Sequence, residues 1–407
     1  MNSTNEPTRI IDHCLISGGK VEKILDLGMH PYADTFVSKS QLAMTEPVIP
    51  LECYLCKESG QVQLRYQSND FERYNLYSYS YTSANSAFSR GHWDAYYKTI
   101  SEKFDLIDKR VVEIGSNDGY LLQQFKPHNT VLGVDPSATM AEVARSQYGI
   151  TTESDVFNAA TSKKIQKEFG SADIIIANNV FNHSNEPLDF AKGVSGLLNR
   201  DGVFVFEQPY WLDTIQSKKF DQIYHEHISY FTVKSAYTLL AKVGLEIIDV
   251  EHVDYHGGSL RVYAKKTAHI PKQSDMVKAM INKETEAGLF DPNTYKQFQA
   301  DILRIRDTFL AKLYNLKSQG HSIVAVGAAA KGNTFLNFYR LDKTVIDYVT
   351  DASAHKQGKY TPLSRIPIVS DDIFSHYKEV YALVLSWNIS EALKAKLRTI
   401  NNKIRFL

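Results

Sequence analysis

The sequence predicts an α/β fold: an open, mostly parallel sheet in the middle of the chain, a small module before it and a second α/β domain after it. Three observations carry this. From about residue 86 to 268, apolar runs of strand length alternate with helical patterns. A glycine turn, Gly115-Ser116-Asn117-Asp118-Gly119, closes the first of those runs and opens a helix. The same strand–glycine–helix plan restarts at Ser322–Val326 and Gly327, although the two halves share no readable sequence repeat.

Taken in order, residues 1–85 form a first unit. Leu25-Asp26-Leu27-Gly28-Met29-His30-Pro31 reads as a strand closed by a glycine turn, flanked by cysteine-bearing turns at Cys14 and at Cys53-Tyr54-Leu55-Cys56. Cys-x-x-Cys is half of a zinc-ribbon pattern, whereas a structural zinc needs four ligands. An aromatic, hydroxyl-rich linker follows at Tyr77–Ser83. In the middle unit, strands are expected at Val111–Ile114, Val131–Val134, Ile150–Thr152, Asp173–Ala177, Val203–Glu207, Gly244–Val250 and Leu260–Lys265. Helices fall between them, for example at Thr139–Tyr148 and Pro187–Leu198. Residues 269–318 read as a charged, helical connector (Asp275–Ala287, then Thr294–Ser318). The last unit, 319–407, takes strands at Ser322–Val326, Val345–Val349, Ile366–Val369 and Tyr381–Leu385.

A chain of 407 residues suffices for two to three domains with ample cores. Lys plus Arg equals Asp plus Glu at 46 each, which argues against nucleic-acid or membrane-surface binding, since both need a basic excess. The N-terminus lacks the apolar centre of a signal peptide, and no apolar run approaches a membrane span. With only Cys14, Cys53 and Cys56 as cysteines, the expectation is a cytoplasmic protein, a monomer or small homo-oligomer.

The glycine turn has the spacing Glu-x-Gly-x-x-x-Gly, with Glu113 ending the strand. That is not the Gly-x-Gly-x-x-Gly of a pyrophosphate turn. A carboxylate ahead of the turn suits a cationic, amino-acid-bearing ligand such as S-adenosylmethionine. Asp135 ends the second strand 20 residues after Gly115 (135 − 115), where an acid is placed to take a ribose diol. Asp155, followed by Val156-Phe157, would bracket an adenine after the third strand. The fourth strand runs into Asn178-Asn179-Val180-Phe181-Asn182-His183, a polar cluster where this architecture keeps catalytic groups. After the fifth comes Phe220-Asp221-Gln222-Ile223-Tyr224-His225-Glu226-His227. Its two histidines are candidate metal ligands or, beside Glu226, candidate bases that a carboxylate orients. Gly257 and Gly258 allow backbone to approach a ligand closely. Lys331, carried by Gly327–Thr334 into a helix N-terminus, makes a candidate anion site without the Walker spacing.

Together these motifs resemble the S-adenosylmethionine-dependent sugar 3-C-methyltransferases that act on nucleotide-linked 4-keto sugars. The resemblance spreads over nearly the whole chain and rests on Leu25–Pro31, Glu113–Gly119, Phe220–His227, His256-Gly257-Gly258, Gly327–Thr334 and Lys356-Gln357-Gly358. It implies a zinc-type module (1–85), a class I methyltransferase core of Rossmann-like topology (86–268), a helical connector (269–318) and a C-terminal Rossmann-like domain (319–407). It further implies His227 as the base that removes the sugar C3 proton. Tyr224, Glu226 and His183 would line the reacting carbonyl and hydroxyl, with Tyr79 or Tyr81 closing over the pocket. Glu113, Gly115, Asp135, Asp155 and Asn179 would hold the cofactor, with Asn117 and Phe157 beside them. Lys331, Asn333 and Trp387, with His225 and His256, are the candidates for the dTDP- or GDP-linked sugar. The family's module uses two Cys-x-x-Cys pairs, but here the positions read Cys14 and Ser17, then Cys56 and Ser59. Serine is a poor zinc ligand, so no metal is expected, with Cys53 as a substitute for one lost ligand. Three rival readings stand beside this one: an O- or N-methyltransferase on the same core, a nicotinamide-dependent oxidoreductase using the C-terminal domain, and a non-catalytic nucleotide-sugar binder.

Overall fold

The structure, a computed structural model, describes residues 8–68, 82, 84, 86–269 and 272–407. It divides into two compact units, each assembled from three stretches of chain. Residues 1–22, 54–214 and 227–291 make the first, and 23–53, 215–226 and 292–407 the second. Among the described residues no helix is long and apolar enough to cross a membrane.

A seven-stranded sheet organises the first unit. Helix α1 (Ala87–Lys103) leads into β1 (Arg110–Ile114), followed by β2 (Thr130–Val134), α2 (Ala138–Tyr148), β3 (Thr152–Glu153) and α3 (Ala159–Phe169). Then come β4 (Ala172–Asn178), α4 (Pro187–Leu197), β5 (Leu198–Pro209), α5 (Val233–Ala241), β6 (Leu245–Val253), β7 (Ser259–Lys266) and α6 (Asp275–Glu286). The spatial order is β3-β2-β1-β4-β5-β7-β6. Neighbours from β3 through β5 pair in parallel, and β7 runs antiparallel to both β5 and β6. The strand order therefore reverses between β1 and β4, which opens a crevice at their carboxyl ends.

Burial on both faces explains the uninterrupted apolar run of β4. Ile174 and Ile176 pack with Val111, Val203 and Val205 against Trp93, Tyr96 and Ile100 of α1. The helices start where side chains can cap them: the Ser86 hydroxyl accepts from the Ser89 N–H at 3.1 Å before α1, and Ser137 from Met140 at 3.3 Å before α2. The third strand begins two residues later than expected, because Ile150 is buried in the core cluster instead of pairing.

The N-terminal residues depart from the expected turns. Cys53–Cys56 is the end of a strand, Ile49–Cys56, and the turn comes after it. The strand Glu22–His30 runs through Gly28, which takes φ 85° inside it without closing it. Within the first unit Thr8–Ile10 pairs with Tyr66–Ser68, and Gln61–Leu64 with Ser229–Tyr230.

Residues 269–318 contain two helices. α6 is tied into the first unit by Glu284, whose carboxylate accepts from the Val233 and Lys234 N–H groups at the start of α5 and from the Tyr210 hydroxyl. The other, α7 (Pro292–Ser318), opens the last stretch of the second unit. There follow β8 (Ile323–Val326), α8 (Ala330–Phe338), β9 (Tyr348–Thr350), β10 (Ile368–Val369), β11 (Val380–Val384), α9 (Ser390–Ile400) and β12 (Ile404–Phe406). The sheet is parallel throughout, in the order β10-β9-β8-β11-β12. Val324, Val326, Ala382 and Leu397 form its core with Phe374. β9 lies downstream of the expected Val345–Val349, since the Val345 and Ile346 N–H groups both turn back to the Asp342 carbonyl.

Candidate active site

The turn after β1 is shaped by three residues at positive φ: Gly115 at 71°, Asn117 at 49° and Gly119 at 81°. The Gly115 N–H donates to the Val134 carbonyl at 2.7 Å and pins the turn to the end of β2. A Cβ built on Gly115 would lie 2.8 Å from Cβ of Val180, in the loop after β4. Gly115→Ala is expected to cost about 1–2 kcal/mol for the left-handed backbone and about 1–3 kcal/mol more for the overlap. Denaturant unfolding checks this, and Val180→Ala should restore part of the loss. An unchanged midpoint would contradict the close approach.

Three buried acids surround this turn. Glu113 ends β1, and one of its oxygens, Oε2, is buried with no hydrogen-bond partner among the described residues. Burial, with Asp118 and Asp135 adding to it, holds the Glu113 carboxyl well above its usual range. Asp118 accepts from the Tyr120 N–H at 3.2 Å and from the Ala84 N–H at 3.0 Å. Asp135 accepts from the Asn117 N–H at 2.8 Å through one oxygen and from the Ser137 N–H at 2.9 Å through the other. Each oxygen keeps a lone pair for a further donor. Burial pushes the Asp135 carboxyl up to about 6, against the two backbone bonds.

Such a set favours a cationic ligand bearing hydroxyls, since a positive charge relieves the acids and a diol donates to the ionised aspartate. Asp135→Ala should weaken binding of S-adenosylmethionine by about 1.5–3 kcal/mol. In the natural chain affinity should fall as pH drops through 6, because the free state gains a proton that the bound state must release. The slope approaches about tenfold per pH unit. Calorimetry from pH 8 to pH 5 measures both effects, and a flat profile would remove Asp135 from the site.

The loop after β4 supplies the next groups. Asn179 takes φ 53° and donates its N–H to the Glu207 carbonyl at 2.7 Å. The chain then makes a short turn over Phe181–His183. The His183 and His227 rings meet with centroids 4.9 Å apart at 68°, and His227 lies edge-on to Tyr230 at 6.3 Å. The segment after His227 is held by its pairing with Gln61–Leu64 and by the Gln61 amide, which donates to the Ser229 hydroxyl at 2.8 Å.

Tyr224, His225 and Glu226 belong to the second unit. His225 is buried, with Nε2 3.3 Å from the Pro50 carbonyl and its ring edge-on to Tyr32 at 6.0 Å. Glu226 accepts from the Asp34 N–H at 3.1 Å, and Tyr224 is half-buried. The chain turns at His225-Glu226, and the strand Ser229–Tyr230 begins two residues after His227. Among the described residues no group of three or more His, Cys, Asp or Glu side chains could hold a metal.

Asp155 is exposed and accepts from the Val156 N–H and the Thr161 hydroxyl. Phe157 is buried against Phe190 of α4, with centroids 5.1 Å apart. His256 has φ 51° and tilts over Tyr255 at 4.1 Å. Tyr79 and Tyr81 lie outside the described residues. In the second unit, Lys331 Nζ is buried without a hydrogen-bond partner among the described residues, 4.9 Å from the Trp387 ring centroid. Burial brings this ammonium down to about 8 against the attraction of Asp221, which itself accepts from the Trp387 indole at 2.6 Å. The Asn333 amide donates to the Ala33 carbonyl at 2.6 Å.

Sequence reasoning passed over Asp118, Asp221 and Asp351, and gave no role to Glu207. Asp351 ends β9 and accepts from the Ala328 N–H at 2.9 Å and the Ser353 N–H at 2.8 Å. This repeats the bonds of Asp135, and the same strand-end rule would have found it. Glu207, at the end of β5, is wholly buried and bonded by His92 at 2.6 Å and by Arg261 at 2.9 and 2.7 Å.

The strand order, the acid-lined turn and the polar loop after β4 define a class I S-adenosylmethionine-dependent methyltransferase. Family models match along the chain: a zinc binding domain over residues 14–74, a methyltransferase domain over 87–250 and a C-methyltransferase C-terminal domain over 254–406. The C-methyltransferase NovU of Streptomyces niveus is 30% identical over 403 residues, covering 98% of this chain and 95% of that protein. The chain belongs to this family of C-methyltransferases. Similar solved structures include magnesium protoporphyrin IX methyltransferase of Synechocystis PCC 6803 with bound S-adenosylmethionine (14% identity, 44% of this chain and 79% of that chain, TM-score 0.34). An S-adenosylmethionine-dependent methyltransferase of Mesorhizobium loti is 17% identical over 43% of this chain and 100% of its own, with a TM-score of 0.35.

Proposed function

We propose that this protein is a cytoplasmic enzyme that methylates C3 of a dTDP- or GDP-linked 4-keto-deoxysugar, on the way to a branched-chain sugar. The observation that supports it most is the His183–His227 imidazole pair, set in the same unit as the acid-lined turn. Its residues fit S-adenosylmethionine: the Glu113 oxygen without a partner suits an ammonium, and Asp135 a ribose diol. Asn117, Asn179 and Gly115 shape that site, and Asp155 and Phe157 are assigned to its adenine end. When bound, the cofactor supplies an electrophilic methyl group.

The chain's own task is to make a carbon nucleophile. A ketone at C4 acidifies the C3 hydrogen because the charge left behind delocalises onto the carbonyl oxygen. His227 takes that proton, and donors from His183 or Tyr224 stabilise the enolate oxygen. Glu226 and His225 shape the loop that carries the base, His256 adds a substrate contact, and water then receives the proton from His227. Lys331, Asn333 and Trp387 are assigned to the nucleotide half, where a phosphate would meet a buried ammonium. We assign residues 1–85 to a degenerate zinc-type module, 86–268 to the methyltransferase core, 269–318 to a helical connector and 319–407 to the Rossmann-like domain.

Incubation with labelled S-adenosylmethionine and a panel of 4-keto nucleotide-sugars tests the reading. The expected product carries the methyl on carbon, and C3 should exchange with solvent deuterium when the cofactor is withheld. A methyl found on oxygen or nitrogen, with no exchange, would replace this reading by the O- or N-methyltransferase.

A further inference from the structure

Among the described residues, those matched to a zinc binding domain do not present a zinc donor set. Two turns in the first unit share one backbone design. In the first, the Gly18 N–H donates to the Cys14 carbonyl at 2.8 Å and the Gly19 N–H to the Ser17 hydroxyl at 3.2 Å. In the second, the Gly60 N–H donates to the Cys56 carbonyl at 2.9 Å and the Gln61 N–H to the Ser59 hydroxyl at 3.2 Å. The glycines match as well, with φ 73° at Gly18 and 72° at Gly60. The Ile16 and Ser17 N–H groups also point at the Cys14 sulfur, both at 3.4 Å.

The four side chains pair across the turns. Cys14 Sγ lies 3.2 Å from Ser59 Oγ, and Cys56 Sγ lies 3.6 Å from Ser17 Oγ. Tetrahedral zinc with bonds of about 2.3 Å would hold thiolate ligands roughly this far apart. Two of the four corners here are neutral hydroxyls, which stay protonated near neutral pH and are poor zinc donors. Cys53 does not replace either of them. It lies three residues before Cys56 on the same strand, and strand alternation sends the two thiols to opposite faces.

We infer that this chain has exchanged a metal clamp for a metal-free cluster of two thiols and two hydroxyls, whose crossed contacts join the two turns. The frame is retained, so returning sulfur to two corners should return the metal. This holds whether or not the sugar substrate proposed above is correct.

The test measures zinc in the full-length natural chain and in Ser17→Cys/Ser59→Cys, both made in zinc-supplemented medium and dialysed against EDTA. The natural chain should contain no zinc and unfold at the same temperature with and without chelator. The double variant should keep one zinc per chain, lose thermal stability when stripped, and show the visible ligand-field bands of tetrahedral thiolate cobalt when cobalt replaces zinc. Chelator-resistant zinc in the natural chain would overturn the inference, and so would a folded double variant that binds none. The natural-chain measurements decide alone should the variant fail to fold.

Discussion

His227→Ala is expected to lower methyl transfer by about 10²–10⁴-fold, the usual contribution of a placed general base, while leaving affinity for S-adenosylmethionine within about twofold. The acids proposed to hold the cofactor lie at the ends of β1 and β2 and in the turn between them, where Asp135 accepts from the Asn117 and Ser137 N–H groups and Asp118 from the Tyr120 N–H. Solvent deuterium exchange at the sugar C3 should vanish together with turnover, since both need the same proton transfer. His183→Ala should retain exchange at a reduced rate, because a donor to the enolate lowers the barrier without being the base. Exchange that persists at full rate in His227→Ala would move the base elsewhere. His225 is the less suitable substitute, buried as it is against Tyr32 and Pro50.

The largest effect on stability is expected from Arg261→Met. The Glu207 side chain is 0% exposed and the Arg261 side chain 6%, and two guanidinium nitrogens bond one carboxylate oxygen at 2.9 and 2.7 Å. His92 bonds the other oxygen at 2.6 Å, and the guanidinium sits 4.5 Å from the Tyr96 ring centroid. Removing one partner of a buried pair leaves the other charge uncompensated, at a cost of about 3–5 kcal/mol. Denaturant unfolding at pH 7.5 should show that loss in the single variant. The double variant Glu207→Gln/Arg261→Met should be more stable than the single one, since it leaves no buried charge. Equal losses would mean that packing over Tyr96, not charge, holds this end of the sheet.

The sheet was legible in the sequence because its strands are apolar runs set between glycine turns, and β4 reads as buried from three consecutive isoleucines. Strand limits failed where packing outweighed pairing: Ile150 went to the core, and Val345 closed a turn. Glu113 and Asp135 were found because a strand end fixes their place, and a strand end is written locally. The Glu207–Arg261 pair was not, because antiparallel register joins residues 54 apart, and His92 stands 115 residues from Glu207. No local pattern states either distance. The His183–His227 meeting was likewise reachable only through the family resemblance. Cys53–Cys56 misled because a cysteine spacing that suits a turn lies here on a strand.

Each compact unit takes three separate lengths of polypeptide, so the chain passes from one to the other five times, the fourth crossing falling between Glu226 and His227. Neither unit can therefore be obtained by trimming. A fragment ending at residue 291 would carry Phe220 without Phe338 and Ala33 without the Asn333 amide, which are their partners in the intact second unit. The two units differ in when the ribosome completes them: the last residue of the first is 291, whereas the second, with Tyr224, His225 and Glu226, needs residues from 292 onward.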